Sequence, residues 1–401
     1  MKILEVVHRF PPAIGGSEKV VYELSREFVA QGHDVTVVTS SSLDNNDTRG
    51  FSTGRSFSLK SKTYEKHKEM MDGIKVIRFE PSFQFWTFAI NPKMKQFLES
   101  NIENFDIIHV HGYQAYEAYI VSKMCKKKKK AFVLTAHDII SHYPGFFKLI
   151  KKLYDLVIGK RILNNSSGLI ALTQENVDQY NEILECSNKI SIIPNGINSY
   201  AKKQKDKSIL NQIGNPDKII LFVGRIVKYK GCQEIIHALP TILKKYPKTM
   251  VLFVGKDGGY TPTLSKLSEQ LSVNRNCIFT GPVDDIEKYL NLADVFVFPS
   301  RGEGFGLSPV EAMSVGVPGI LANMGGLKYV LKDIGGIPIN MDEDVPSQIS
   351  KNVVDIFDGK LTSKDLSKFE KNAKNYRWDK ISKQTLKFLI LSSDRMKSKE
   401  I

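Results

Sequence analysis

Glu303 and Glu311, separated by seven residues, bracket the run Glu-Gly-Phe-Gly-Leu-Ser-Pro-Val-Glu. These residue types at this spacing suit a molecule that carries both hydroxyls and phosphates. Two glycines let backbone N–H groups come close to an oxygen-rich ligand. Pro309 suits the first turn of a following helix, expected over Pro309 to Val315, whose positive end would stabilise an anion such as a diphosphate. Glu303, on the loop, can accept hydrogen bonds from sugar hydroxyls. Glu311, one to two turns into the helix, can do so from a ribose diol.

A second group supplies positive charge. Arg225 follows Val223-Gly224 at the end of an expected strand, and Lys230-Gly231 comes five residues later. Arginine offers a planar fork to phosphate oxygens, and lysine a mobile point charge. No Asp/Glu group has the spacing to hold Mg²⁺, so no metal is expected. A third motif, Pro11-Pro-Ala-Ile-Gly-Gly-Ser-Glu18, lies between the first strand and the first helix. Its Gly15-Gly16 pair predicts an anion-accepting nest. It is not G-x-G-x-x-G, and no acid ends the second strand, so a dinucleotide-dependent dehydrogenase is disfavoured. His137, in Leu-Thr-Ala-His-Asp, ends a buried strand, where it can bond a sugar hydroxyl or steady developing charge. His109 and His111 alternate along another strand and point to one side, with His109 the readier to be a satisfied core histidine. No Ser-His-Asp or Cys-His order appears.

Elements must bring these groups together. Short β-branched runs alternate with longer amphipathic stretches, as in parallel sheets of βαβ units. Strands are expected at Lys2–Val7, Asp34–Thr39, Ile74–Phe79, Ile107–His111, Ala131–Ala136, Gly168–Leu172 and Ile190–Pro194. A second series runs Ile219–Val223, Met250–Val254, Cys277–Thr280, Val295–Phe298 and Gly319–Ala322. A first helix spans Gly16 to Gln31 and stops at Gly32. Asn198–Asp217, polar and lysine-rich, reads as a linker. The fold class is therefore α/β, with two Rossmann-like doubly wound domains facing across a cleft, residues 1–197 and 198–378. A closing helix over 379–401 is expected to pack back on the first domain. Clefts of such sheets lie at the carboxyl ends of the strands.

The 401 residues, 42 % hydrophobic and 25 % charged, fit a globular protein of two domains. Glu5, His8 and Arg9 interrupt the first apolar stretch, which argues against a secretory signal. No stretch approaches the roughly 18 uncharged residues of a membrane span. The four cysteines lack paired spacing and are expected as reduced thiols of a cytoplasmic protein. The net charge of +14 is spread over both halves, with a run at Lys126–Lys130 that reads as a solvated turn. Without interleaved aromatics or a recognisable reading motif, nucleic acid is not expected as a partner. In residues 146–163, Lys148, Lys151, Lys152 and Asp155 occupy one helical face. Phe146, Leu149, Ile150, Leu153 and Val157 occupy the other. Two readings stand: an amphipathic helix lying on an anionic membrane, and a core-packed helix with solvated lysines.

Taken in order, Gly15-Gly16, Ile193-Pro-Asn-Gly-Ile197, Gly224-Arg-Ile-Val-Lys-Tyr-Lys-Gly231, and the run from Glu303 through Pro318 resemble the retaining glycosyltransferases of family 4, which have the GT-B fold. The resemblance covers nearly the whole chain. It implies that Arg225 and Lys230 bind the donor pyrophosphate, that Glu303 with the backbone of Gly304, Phe305 and Gly306 holds the donor sugar, and that Leu307 and Ser308 offer amides to phosphate. Glu311 would bind the ribose and His137 would contact the sugar near the reacting carbon. Gly15, Gly16 and His111 would line the acceptor side, Gly16 also touching the donor phosphate. The implied reaction keeps the anomeric configuration, uses a nucleotide-diphosphate sugar, and needs no metal or other cofactor. Its acceptor is a glycan, a lipid-linked glycan or a small molecule, met in the cytoplasm or at the inner face of the membrane. Asn198, Lys256-Asp-Gly-Gly259 and Gly319 depart from the family's habit. Two alternatives share the scaffold, a nucleotide-sugar 2-epimerase and a non-catalytic nucleotide-sugar-binding protein. The match over Glu303 to Glu311 disfavours the first, and the intact set of Arg225, Lys230, Glu303, Glu311 and His137 disfavours the second.

Overall fold

The computed structural model describes residues 1–43, 63–85, 88–137 and 146–397. The chain divides into two compact units, residues 1–196 with 378–401, and residues 197–377.

In the first unit, β1 (Lys2–Val7), β2 (Asp34–Ser40), β3 (Lys68–Met71), β4 (Ile74–Phe79), β7 (Ile107–His111), β8 (Val133–Thr135), β9 (Gly168–Ala171) and β10 (Ile190–Ile192) form one sheet in the order β10-β9-β8-β7-β1-β2-β4-β3. Only β3 runs antiparallel to its neighbour. Strands β5 (Phe83–Phe85) and β6 (Phe88–Ile90) pair antiparallel in a separate two-stranded sheet. Strand β1 is central and buried from Ile3 onward, the signature of a parallel strand covered on both faces. The helix Gly16–Ala30 buries Val20, Val21, Leu24 and Phe28 against the sheet and ends before Gly32, whose φ of +83° suits glycine. The C-terminal helix Trp378–Lys397 packs on that helix and on β7 and β9. Gln31 Nε2 donates to Ser382 Oγ at 3.0 Å. A side chain at Gly196 would stand 2.3 Å from the Trp378 indole, so glycine there admits the ring.

The second unit holds β11 (Lys218–Val223), β12 (Thr249–Val254), β13 (Cys277–Gly281), β14 (Val295–Phe298), β15 (Gly319–Ala322) and β16 (Ile337–Ile339), all parallel in the order β13-β12-β11-β14-β15-β16. Asn198–Asp217 is no loose linker. Its backbone is bonded to Glu287 and Asn291, Lys205 pairs with Asp294 at 2.8 Å, and Asp206 caps a helix at Lys207–Gln212. Polar composition misled because these side chains bond the unit rather than water.

The stretch 146–163 also departs from expectation. A helix at Phe146–Tyr154 passes through a π-turn at Asp155–Gly159 into a helix at Lys160–Asn165. Leu149 and Leu153 are 65 % and 62 % exposed, and Ile150, Leu156 and Val157 are exposed as well. Core packing is thus excluded for these five, while Lys151 is partly buried against Asp155. The side chains of Phe146 and Lys148 lie outside the described residues. Among the described residues no helix is long and apolar enough to cross a membrane. Lys126 and Lys127 end a helix, where cations oppose its negative end, and all four cysteines are free.

One carboxylate interrupts the apolar centre of the first sheet. Glu5 on β1 is fully buried and in register with His109 on β7. Burial alone would raise its pKa. His109 and His111 overcome that and hold it down at about 2. Burial drives His111 down to about 4, and His137 well below the usual histidine range. Below about pH 6.5 the unfolded chain therefore protonates these two imidazoles while the folded chain does not, so stability falls as pH falls. The loss continues through the carboxylate range as Glu5 of the unfolded chain takes up its proton. We expect unfolding free energy to drop between pH 7 and 5 by up to ~1.4 kcal/mol per pH unit for each neutral imidazole. Denaturant titrations of the wild type and of His111→Asn check this, with a shallower slope expected in the variant.

Candidate functional site

Each sheet reverses its strand order at one point, between β1 and β7 in the first unit and between β11 and β14 in the second. Loops leaving the carboxyl ends of the two strands there diverge to opposite faces and open a crevice. Most of the residues singled out from sequence lie on these loops, and His137 follows the neighbouring β8.

In the second unit, Arg225 and Lys230 follow β11, and Glu303 follows β14. Lys230 is ion-paired to Glu303, and its ammonium sits 5.4 Å from the centre of the Phe298 ring. Both charges are largely shielded from solvent. Arg225 is exposed and donates to Tyr229 Oη at 3.2 Å. Gly231, at φ +78°, leaves no room for a side chain, because a Cβ would meet the Pro299 carbonyl oxygen at 2.2 Å. The β11 loop is thereby pressed onto the end of β14.

The helix that carries the second glutamate begins at Leu307, two residues earlier than its proline suggested, and runs to Ser314. Gly306 is its N-cap at φ +93°, with Leu327 filling the space a Cβ would need. The first-turn amides, Leu307 and Ser308 among them, have no partner within the helix. Ser308 Oγ donates to the Val223 carbonyl at 2.8 Å, which ties this helix to the end of β11. Phe305 is buried beside Tyr376, at 5.7 Å between ring centres, so its ring belongs to the core of the unit. Gly304 precedes it on the same loop. Glu311 is buried and accepts from Tyr200 Oη at 3.3 Å. Tyr200 escaped the sequence reading because it lies in the supposed linker.

In the first unit, Gly15 and Gly16 do not form a nest. Gly15 is extended, with φ of −177°, and Gly16 is the first helical residue. The Glu18 carboxylate lies directly over Gly15, where a Cβ would meet its Oε2 at 2.1 Å. Glu18 folds over this helix start and pairs with Arg9 at 2.6 Å, so the position already holds a carboxylate. His111 is buried with both ring nitrogens engaged, Nε2 with Glu5 at 2.6 Å and Nδ1 with His137 Nε2 at 2.8 Å. It therefore stands behind His137 rather than touching an acceptor itself. His109 is the satisfied core histidine, between Glu5 at 3.1 Å and Thr135 Oγ1 at 2.8 Å. His137 is partly exposed, at φ +58°, a conformation uncommon outside glycine and asparagine. Sequence reading treated Glu5 only as a charge. A lone acid inside an apolar strand was the available signal.

Among the described residues, Glu5, His109 and His111 are the group whose ligand atoms lie close enough for one metal ion, within 4.8 Å. Their separations of 2.6 and 3.1 Å are hydrogen-bonding distances between the carboxylate and the two imidazoles.

One glycine outside the sequence motif supports the whole loop. Gly326 N donates to the Glu303 carbonyl at 2.8 Å, and a Cβ there would meet Gly304 O at 2.4 Å and Phe305 N at 2.8 Å. Gly326→Ala must displace backbone. We expect donor affinity to fall tenfold or more while far-UV circular dichroism stays unchanged, with calorimetry as the check.

Residues 14–199 match the family described as Glycosyltransferase Family 4, and residues 203–376 match Glycosyl transferases group 1. An uncharacterized glycosyltransferase of Methanocaldococcus jannaschii is 25 % identical, over 99 % of this chain and 100 % of its own. The N-acetyl-alpha-D-glucosaminyl L-malate synthase of Bacillus anthracis is 26 % identical, over 80 % of this chain and 79 % of its own. Among solved structures, Anabaena HepE in complex with UDP and glucose superposes with a TM-score of 0.76 at 18 % identity, covering 97 % of this chain and 99 % of that one. With both halves matched in order and both sheets built as described, the chain belongs to the glycosyltransferases of family 4 and has the GT-B fold.

Proposed function

We propose that this enzyme transfers a sugar from a nucleotide-diphosphate donor with retention of the anomeric configuration and without a metal ion. The observation that carries the reading is the convergence of Lys230, Glu303 and the start of the Leu307 helix at the β11/β14 switch point. On donor binding, the diphosphate takes Lys230 from Glu303 and lies against Arg225 and the amides of Leu307 and Ser308. Glu303, so released, accepts from the sugar hydroxyls, and Glu311 with Tyr200 meets the ribose. To His137 we assign, from the family resemblance, the contact with the sugar near the reacting carbon. As the bond to the anomeric carbon breaks, negative charge grows on the leaving phosphate, and the two cations and the helix dipole stabilise it in place of magnesium. The acceptor hydroxyl attacks from the same face and passes its proton to the leaving phosphate.

For the acceptor, we propose a lipid-linked glycan reached at an anionic membrane surface on the cytoplasmic side. Support comes from the exposed apolar side chains Leu149, Ile150, Leu153, Leu156 and Val157, with Lys152, Lys160 and Arg161 exposed among them. That is the composition of a helix lying in a headgroup layer.

Calorimetry with UDP-, GDP-, ADP- and dTDP-sugars should find one nucleotide class that binds, and transfer from it should persist in EDTA. Lys230→Ala or Glu303→Ala should each lower transfer a hundredfold or more, as expected for loss of a charge-assisted contact of ~3 kcal/mol; the melting temperature should fall, because the remaining charge is left unpaired, while far-UV circular dichroism shows the fold retained. Retained turnover in both variants would refute the reading. Wild-type protein should co-sediment with vesicles of phosphatidylglycerol and phosphatidylethanolamine but not of phosphatidylcholine alone. Leu149→Asp with Leu153→Asp should abolish that binding; undiminished sedimentation would remove the membrane from the account.

A further inference from the structure

The chain Glu5–His111–His137 constrains where protons sit. An ionised carboxylate only accepts hydrogen bonds, so His111 Nε2, at 2.6 Å from Glu5 Oε2, carries a hydrogen. A neutral imidazole has one N–H, which leaves His111 Nδ1 as an acceptor. His137 Nε2, at 2.8 Å from that nitrogen, must then be the donor. Its Nδ1 is consequently bare. Burial of both imidazoles, which disfavours their charged forms, keeps this arrangement rather than its reverse. A cationic His111 would donate to His137 and turn its Nδ1 into a donor.

We propose that Glu5 is a positioning residue: acting through His111, it fixes His137 as the Nε2–H tautomer and presents Nδ1 as an acceptor for a hydroxyl of the transferred sugar. The final clause rests on the reading that His137 contacts the donor sugar; the tautomer does not. His109 buttresses the arrangement from the other side, holding Glu5 at 3.1 Å while Thr135 Oγ1 holds its own Nε2 at 2.8 Å. The rings of His111 and His137 lie nearly parallel, 20° apart with centres at 5.0 Å, so the orientation of one limits the other.

Long-range ¹H–¹⁵N spectra of full-length protein labelled at histidine, at pH 7.5, read the tautomer directly, with His137→Asn to assign the signals. Wild-type His137 should show a protonated Nε2 and a bare Nδ1; a protonated Nδ1 would overturn the proposal without any variant having to fold. Glu5→Leu, apolar and of similar size, removes the acceptor and should leave His137 in mixed tautomers. Glu5→Gln, whose amide oxygen still accepts from His111, should restore the single form. Calorimetry with UDP-glucose, GDP-mannose, ADP-glucose and dTDP-glucose, each beside its bare nucleoside diphosphate, gives the second readout. In Glu5→Leu the sugar nucleotide that wild type binds should weaken fivefold or more and its nucleoside diphosphate less than twofold. Equal weakening of both, or unchanged spectra, would overturn the positioning role. If wild type binds none of the four, the donor reading fails while the tautomer stands on the spectra alone.

Discussion

A parallel sheet sends every strand-to-helix loop to one edge, and this constraint governs both units. Where the strand order reverses, two neighbouring loops turn to opposite faces, and their backbones leave a gap that neither helix layer fills. In the second unit the gap opens between β11 and β14, and the glycines around it are set by close approach. Gly231 lies against Pro299, Gly306 against Leu327, and Gly326 against Gly304. A phosphate-sized anion needs bare N–H groups at such a place, and a helix beginning at Leu307 supplies them. Charge comes from side chains on the adjoining loop. Position, then, is a property of the sheet, and chemistry a property of five or six residues placed on its edge.

The charged groups of the second unit are not idle before a ligand arrives. Lys230 and Glu303 neutralise each other, so neither stands desolvated and alone, which would cost far more than the pair returns. A ligand with both phosphate and hydroxyls can replace each partner by one of its own groups. A ligand with phosphate alone leaves the glutamate unpaired, and a neutral sugar leaves the lysine so. Discrimination in favour of a molecule carrying both follows from the pairing itself.

Much of this was legible in the sequence, for reasons that differ by element. The strands Lys2–Val7, Ile74–Phe79, Ile107–His111, Val295–Phe298 and Gly319–Ala322 could be bounded to the residue because each is a short apolar-rich run and most are flanked by turn-forming residues. The short strands β3, β5, β6 and β16 carry no such contrast and were not expected. The start of the Leu307 helix was misplaced because its cap is a glycine in the left-handed region, which sequence alone reads equally as loop. Two local inferences failed: Gly15 is extended and Gly16 already helical, so the pair builds no nest, and the polar stretch after Ile197 is strapped to its own unit. Tyr200 and Gly326 come to the site through tertiary contacts with no local spacing to announce them.

Glu5 makes the sharpest case for reading energy together with position. A buried carboxylate in the middle of a parallel strand loses several kcal/mol of hydration, and its two imidazole partners offset that loss only through well-placed hydrogen bonds. An apolar side chain of the same size would serve the sheet at least as well, since β1 is otherwise a continuous hydrophobic run. The cluster gives the core nothing that leucine would not. What it does provide is direction: one end is anchored on β1, and the other ends at His137, held at φ +58° beyond the last residue of β8. Strained backbone and a buried acid both cost stability, and both converge on the same imidazole. The stability they cost is spent on the orientation and proton position of a single side chain at the sheet's open edge.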